Sequence, residues 1–226
     1  MKALHSFLQT MIRRGLRIAT VYDIGAHKGD WSLELKRTVL SDAHFILFEA
    51  NPEHTTSLQS TGLTNICGIA LGDRDHCDVP FYSNGKTGDS YYKEATGWYT
   101  DTIPIMLPLM SLNELKRQRK LPYPDFIKID TQGSELDILN GSTEFISNVS
   151  LVYIELPIIA YNQGAPLISA YLERLRELGF IPVAVLEQHI LESVLVQIDV
   201  MFVNKKVKEI YLGPHHFVRP LKEDQE

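Results

Sequence analysis

The sequence has few cysteines. Its 226 residues include only two, Cys67 and Cys77. Two cysteines cannot form the disulfide framework of a small secreted protein, and a zinc site would need further ligands. We therefore expect two free thiols in a reducing cytoplasm.

Long apolar runs are also absent. No run approaches the roughly 18–20 residues that span a bilayer, and the N-terminus lacks the apolar centre of a secretory signal. The 22 Lys and Arg against 28 Asp and Glu give a formal charge of −6. This acidic balance argues against nucleic acid as a partner. With 44% hydrophobic and 22% charged residues, the composition is that of a globular protein without a membrane span.

Apolar runs alternate with helical segments along the chain. Strands that are nearly all apolar are buried on both faces, which indicates a mostly parallel sheet covered by helices. The short connection between the last two strands predicts an antiparallel hairpin. We therefore predict an α/β fold, a doubly wound, mostly parallel sheet that ends in an antiparallel hairpin. The predicted strands are 20–25, 44–50, 65–72, 125–130, 150–156, 180–188 and 194–204, and the main helices are 30–39, 134–146 and 166–179.

The chain divides into three predicted parts. Residues 1–19 form an amphipathic helix that covers either the domain or a partner subunit, and the second case would make a homodimer. Residues 20–212 form the main domain, with a β/loop insertion at 78–109 that is rich in Gly, Tyr and Trp over 85–99. Residues 213–226 form a polar tail.

The first strand is followed by a glycine turn. Gly25 and Gly29 have the spacing GxxxG, and the GxGxxG fingerprint of nicotinamide enzymes is absent. Glu49 ends the second strand, where a carboxylate accepts hydrogen bonds from ribose hydroxyls. The structural alternative for Glu49 is a strand-end carboxylate in water. In an open α/β sheet, these strand ends form the ligand crevice.

Three segments carry a family resemblance: VYDIGAHKGDWS (21–32), FEANPE (48–53) and FIKIDTQGSELDILNG (126–141). They resemble the FkbM family of S-adenosylmethionine-dependent methyltransferases. The resemblance implies the Rossmann-like class I methyltransferase fold, S-adenosylmethionine as cofactor, and O-methylation of a small molecule or glycan. Two residues depart from the family pattern, because Gln132 replaces a common Glu and His27 replaces the usual Asn.

The cofactor is expected to bind at the ends of the first, second, third and fourth strands. The residues predicted to bind it are Asp23, Gly25, His27, Gly29, Glu49, Ala50, Leu71, Gly72, Asp73 and Asp130.

Methyl transfer to a hydroxyl is an in-line displacement that requires positioning and removal of a proton. We predict that Asp130 and Glu155 position or deprotonate the acceptor, with Glu135 nearby as a third catalytic residue. Asp130 as a helix cap and Glu135 as a complement to the helix dipole are the structural alternatives. His189, in the final hairpin, is interpreted as a loop histidine more readily than as a base.

Lys128 lies two residues before Asp130, so the two side chains share a strand face. Lys128 either pairs with a carboxylate there or extends its charged end to the edge of the sheet.

Clustered carboxylates also suit Mg²⁺. The amide at Gln132 argues against that ion, and the sequence assigns no metal ligand.

Other functions remain open at this point. One is N-methylation of a small molecule or nucleic acid, although the N/D-P-P-Y/F motif of amino-methylating DNA enzymes is absent at Asp130–Gly133. Another is a nicotinamide oxidoreductase, which the glycine spacing disfavours. The last is a catalytically inactive protein that binds the cofactor and acts as an assembly partner.

Overall fold

The structure is a computed structural model that describes residues 1–83, 88–95 and 102–212. Its strands are β1 (Thr20–Ile24), β2 (His44–Glu49), β3 (Thr64–Cys67), β4 (Ala70–Gly72), β5 (Cys77–Phe81), β6 (Ile105–Ser111), β7 (Phe126–Ile129), β8 (Leu151–Pro157), β9 (Phe180–Leu191) and β10 (Val194–Asn204). Its helices are α1 (Lys2–Arg13), α2 (Asp30–Thr38), α3 (Thr55–Ser60), α4 (Leu112–Arg119), α5 (Glu135–Asn140), α6 (Ile168–Glu177) and α7 (Lys205–Leu212).

The main sheet has seven strands in the order β3-β2-β1-β7-β8-β10-β9. The first five are parallel, and β10 runs antiparallel to both β8 and β9. The chain reverses its direction of winding between β1 and β7, so the ligand crevice is expected at their carboxyl ends. The predicted doubly wound sheet with a terminal antiparallel hairpin is confirmed.

Helices cover both faces of this sheet, which explains the unbroken apolar runs. Successive strand residues alternate between two cores, because neighbouring side chains point to opposite faces. Tyr22 and Ile24 pack in one core, whereas Val21 and Phe45 pack in the other. Every residue of β1 and β7 is buried.

Helix α1 packs against its own domain. Leu4, Leu8 and Met11 are buried in one of the two cores, because they recur at the spacing that places them on one helix face. The buried face of the helix is therefore occupied within its own domain, and the homodimer stays a prediction. In the described part of the chain, no helix is long and apolar enough to cross a bilayer.

The single third strand predicted at 65–72 is wrong. The chain turns at Gly68, which has a φ of 81° and donates its N–H to the Glu49 carbonyl at 2.9 Å. This turn separates β3 from β4, and β4 joins a second sheet of order β4-β6-β5. An apolar pattern cannot reveal such a break, because it continues through the turn.

The second sheet contains the described strands of the predicted insertion, β5 and β6. Residues 84–87 and 96–101 lie outside the described part, as does the predicted tail 213–226. Helix α5 ends at Asn140, earlier than predicted. A side chain at Gly141 would overlap the Gly72 carbonyl oxygen, so glycine is required where the end of the helix meets β4.

Candidate active site

The turn after β1 lies directly against the end of β7. Gly25 has a φ of 75°, and a Cβ atom there would overlap the backbone carbonyl oxygen of Asp130. The N–H groups of Gly25 and Ala26 both donate to the Phe48 carbonyl, at 2.9 and 3.0 Å. Glycine is therefore required by both the backbone conformation and the close approach.

A buried ion pair joins β1 to β7 beneath this turn. Lys128 Nζ lies 3.1 Å from Asp23 Oδ1 and 3.4 Å from Asp130 Oδ2, and it donates to the Gly25 carbonyl at 3.0 Å. Burial lowers the pKa of Lys128, but the two carboxylates outweigh it and the net pKa is raised. Ser32 donates to the other Asp23 oxygen at 2.6 Å. Of the two interpretations of Lys128, the one that pairs it with carboxylates is confirmed.

Glu49 is held by the backbone around it. Its Oε2 accepts from the His27 N–H at 2.6 Å, and its Oε1 accepts from the Asn51 N–H at 2.8 Å. Burial raises the pKa of the Glu49 carboxyl, although these two donors oppose the shift. Each oxygen has a second lone pair, so the carboxylate can still accept from a ligand.

Two histidines meet beside Glu49. The rings of His27 and His54 lie 4.2 Å apart, edge to face. Burial and the neighbouring His54 lower the pKa of His27, so the neutral form is favoured.

A second set of acids meets at the ends of β7 and β8. Gln132 Nε2 donates to Asp130 Oδ1 at 3.2 Å and to Glu155 Oε1 at 2.7 Å. The amide thus bridges two carboxylates that would otherwise repel. Burial, then the charges of Asp130, Glu135 and Asp199, raise the pKa of Glu155 well above its usual value.

The final hairpin adds two more groups. Asp199 lies opposite Glu155 in the antiparallel pairing of β10 with β8. His189 Nε2 is 3.4 Å from Asp199 Oδ1 and 3.9 Å from Glu155 Oε2. Tyr153 donates to Asp199 Oδ2 at 2.7 Å.

Glu135 has different surroundings. Its carboxylate accepts the backbone N–H groups of Thr131 and Gly133 at 2.9 to 3.1 Å, and the Tyr171 hydroxyl at 3.0 Å. The residue is 1% exposed. Burial raises the pKa of this carboxyl against the opposing backbone donors. Glu135 therefore holds the loop between β7 and α5 in shape.

A cavity of about 450 Å³ connects these groups, within the range typical of small-molecule sites. Seven of the predicted site residues line it: Gly25, His27, Glu49, Ala50, Leu71, Asp130 and Glu155. The crevice at the switch point thus brings the ends of β1, β2, β4, β7 and β8 together.

The other five predicted residues do not line the cavity. Gly29 has a φ of 85° and caps α2, and Gly72 packs against Leu109 and the Tyr91 hydroxyl. Asp73 lies beside Arg74, with 44% of its side chain exposed. The remaining two, Asp23 and Glu135, lie behind the wall and contact Lys128 and the loop backbone, respectively.

Sequence reasoning missed several lining residues. His54, Asp89 and Tyr161 line the cavity, and no motif marks them. They reach it from segments that lie far apart in the chain, so only the folded structure identifies them.

The predicted aromatic loop is anchored to the main domain. Tyr91 and Tyr92 both donate to Asp137 Oδ2, at 2.7 and 2.8 Å, which ties the insertion to α5. Gly85, Gly97, Trp98 and Tyr99 of the same loop lie outside the described residues.

The sequence matches the family described as Methyltransferase FkbM domain over residues 23–182. No curated protein matches it.

Several solved methyltransferases share the architecture. The O-methyltransferase from Bacillus cereus, in complex with SAH, is 13% identical, with 90% of this chain and 82% of that chain covered and a TM-score of 0.50. The plantazolicin methyltransferase BamL, in complex with a triazolic desmethylPZN analog and SAH, is 9% identical, with 90% of this chain and 83% of that chain covered and a TM-score of 0.53. The magnesium protoporphyrin IX methyltransferase from Synechocystis PCC 6803, with bound SAH, is 9% identical, with 90% of this chain and 82% of that chain covered and a TM-score of 0.50. At these identities the likeness establishes a shared fold.

Proposed function

Since this chain belongs to the FkbM methyltransferase family, we propose that it transfers a methyl group from S-adenosylmethionine to a hydroxyl of a small molecule or glycan. The cofactor follows from the family. The observation that supports a hydroxyl acceptor is the cavity, because it connects Glu49 to the carboxylates of Asp130 and Glu155.

The end of the cavity near Glu49 suits the adenosine part of the cofactor. Glu49 has free lone pairs for the ribose hydroxyls, and Gly25 lets a ligand approach the backbone. Ala50 and Leu71 supply apolar surface beside them. We propose that these residues and His27 bind the cofactor directly, whereas Asp23, Gly29 and Gly72 support the fold around it and Asp73 stays exposed beside Arg74.

The opposite end suits the acceptor. The acceptor oxygen attacks the methyl carbon, the carbon–sulfur bond breaks, and its electron pair stays on sulfur. The hydroxyl proton passes to a carboxylate, for which Glu155 is the best candidate because a raised pKa makes a stronger base. Asp130 orients the acceptor, and Glu135 serves as a positioning residue because its oxygens bind the loop backbone.

Magnesium gains no support from the comparisons, and no step of the proposed reaction uses it. The glycan acceptor, the homodimer and the cytoplasmic location remain predictions.

Calorimetric titration with S-adenosylhomocysteine, with NAD as control, tests the cofactor assignment. Transfer of a labelled methyl group to a panel of hydroxylated acceptors, followed by NMR of the product, tests the acceptor atom. A methyl ether is the expected product. A methylated nitrogen would overturn the hydroxyl assignment, and binding of NAD would overturn the cofactor assignment.

A further inference from the structure

Three side chains from three adjacent strands converge at the acceptor end of the cavity. Glu155 is on β8, His189 on β9 and Asp199 on β10, and one ligand atom from each lies within 4.8 Å of the others. Ligands held at about 2.1 Å in tetrahedral geometry are about 3.4 Å apart. The His189 Nε2 distances of 3.4 and 3.9 Å are close to that spacing.

In the part of the chain that the structure describes, two of the three converging atoms have no hydrogen-bond partner. Among the described residues, Asp199 Oδ1 and His189 Nε2 are buried atoms with no hydrogen-bond partner. The side chains of Asp199 and Glu155 are 14% and 11% exposed, whereas that of His189 is 41% exposed. A buried carboxylate oxygen and an imidazole nitrogen that face each other share either a proton or a cation.

The outer oxygens, in contrast, are held in place. Gln132 donates to Glu155 Oε1 and Tyr153 donates to Asp199 Oδ2, both at 2.7 Å. Hydrogen bonds that orient a ligand from behind are the usual second layer of a metal site. Lys128 is paired with Asp23 and Asp130, so its ammonium group is not the cation that lies between these side chains.

We propose that Glu155, His189 and Asp199 bind one divalent transition-metal ion, of the Zn²⁺ or Mn²⁺ type. One imidazole nitrogen with two carboxylates suits these ions better than Ca²⁺ or Mg²⁺, which prefer oxygen alone. Glu155 and His189 also line the cavity, so the ion would be accessible to an acceptor hydroxyl, and with the ion bound it, rather than Glu155, would promote deprotonation. That last role rests on the proposed function, whereas the binding site does not.

The test is a titration of the chelator-treated protein with Mn²⁺, followed by electron paramagnetic resonance, and with Zn²⁺, followed by calorimetry. We expect one ion per chain. His189→Ala and Asp199→Asn should each weaken binding at least about tenfold, and Tyr153→Phe about tenfold through loss of the orienting bond. The matched control is Glu187→Gln, which removes a carboxylate from the same hairpin, opposite Asp199 but 47% exposed, and should leave affinity unchanged.

Binding of S-adenosylhomocysteine is measured on the same samples, which separates this proposal from the proposed function and shows that each variant is folded. No stoichiometric ion in wild type, or equal affinity in wild type and both ligand variants, would overturn the metal site, whatever the cofactor result. His189→Gln serves if the alanine variant does not fold.

Discussion

The two ends of the cavity hold their carboxylates in different ways. Glu49 is bound by the backbone N–H groups of His27 and Asn51. Glu155 is bound by the Gln132 amide, and the negative charges of other carboxylates surround it. Fixed backbone donors satisfy the charge at the first end, whereas the second end is assembled from side chains of neighbouring strands and carries excess negative charge. A carboxylate held by fixed backbone donors suits the binding of a cofactor that is the same in every reaction. A carboxylate surrounded by other negative charges suits a step in which a proton is taken up.

The largest expected effect on stability comes from Lys128, which lies between the two ends of the cavity. Lys128→Met leaves Asp23, which is 0% exposed, as an unpaired buried charge. Loss of one partner from a buried pair costs about 3–5 kcal/mol in the free energy of unfolding, measurable by urea denaturation. As a control, Arg117→Met removes an exposed partner of Glu114 and should leave the denaturation midpoint almost unchanged. Equal losses in the two variants would contradict a stabilising role for the buried Lys128–Asp23 pair.

At the cofactor end, Gly25→Ala should cause the next largest loss of stability. The new Cβ overlaps the Asp130 carbonyl and the backbone keeps a positive φ, so we expect a loss of about 2–4 kcal/mol together with loss of S-adenosylhomocysteine binding. Gly164→Ala is matched in φ, at 79°, with nothing within 4 Å. It should cost only about 1–2 kcal/mol. A similar loss in both would show that φ alone matters.

The acceptor end should respond in turnover rather than in cofactor affinity. Glu155→Gln removes the proposed base, and general-base catalysis contributes about 10²-fold or more. Methyl-transfer rates and calorimetric affinities for S-adenosylhomocysteine measure the two effects separately. The control is again Glu187→Gln. Full activity in Glu155→Gln would remove Glu155 from the mechanism.

Glu49→Ala should have a smaller effect, confined to the cofactor end. Loss of hydrogen bonds to a charged acceptor costs about 1.5–3 kcal/mol, or roughly a tenfold or greater weakening of cofactor binding by titration. Unchanged affinity would refute the ribose assignment. The rate at saturating cofactor should stay close to that of wild type.

The smallest effect is on stability against pH. The folded-state pKa of Glu155 is raised above its ordinary value of 4.5. The contribution of its carboxyl group to the free energy of unfolding is therefore fully present below pH 4.5 and is lost as the pH rises towards the folded-state pKa. A tenfold change in a proton-binding constant corresponds to about 1.4 kcal/mol. In chelator, Glu155→Gln should therefore gain stability relative to wild type between pH 4.5 and neutrality. A difference in unfolding free energy that stays constant across this range would contradict the raised pKa.

The lining of the cavity near Glu49 was largely predictable from the sequence, because Gly25 and Ala50 directly follow β1 and β2, and Glu49 ends β2, in a recognisable motif. Gly68 marks the limit of that reasoning, since its break between β3 and β4 depends on a hydrogen bond to the Glu49 carbonyl.

The acceptor end was predicted only in part. Asp130 and Glu155 were identified as strand-end acids, because the topology of a parallel sheet places such residues at one edge. The Gln132 bridge and the approach of His189 depend on side-chain geometry across strands, which the spacing of residues along the chain does not encode.

The position of β10 has a consequence for the order in which the protein is made. This strand lies between β8 and β9 in the sheet, yet it leaves the ribosome after both. Asp199 faces Glu155 only when β10 has inserted in register, and a slip of one residue would turn its side chain to the other face of the sheet. The carboxyl ends of β1 and β2 can meet much earlier in synthesis. A nascent chain can thus bring Gly25 and Glu49 together long before Asp199 faces Glu155.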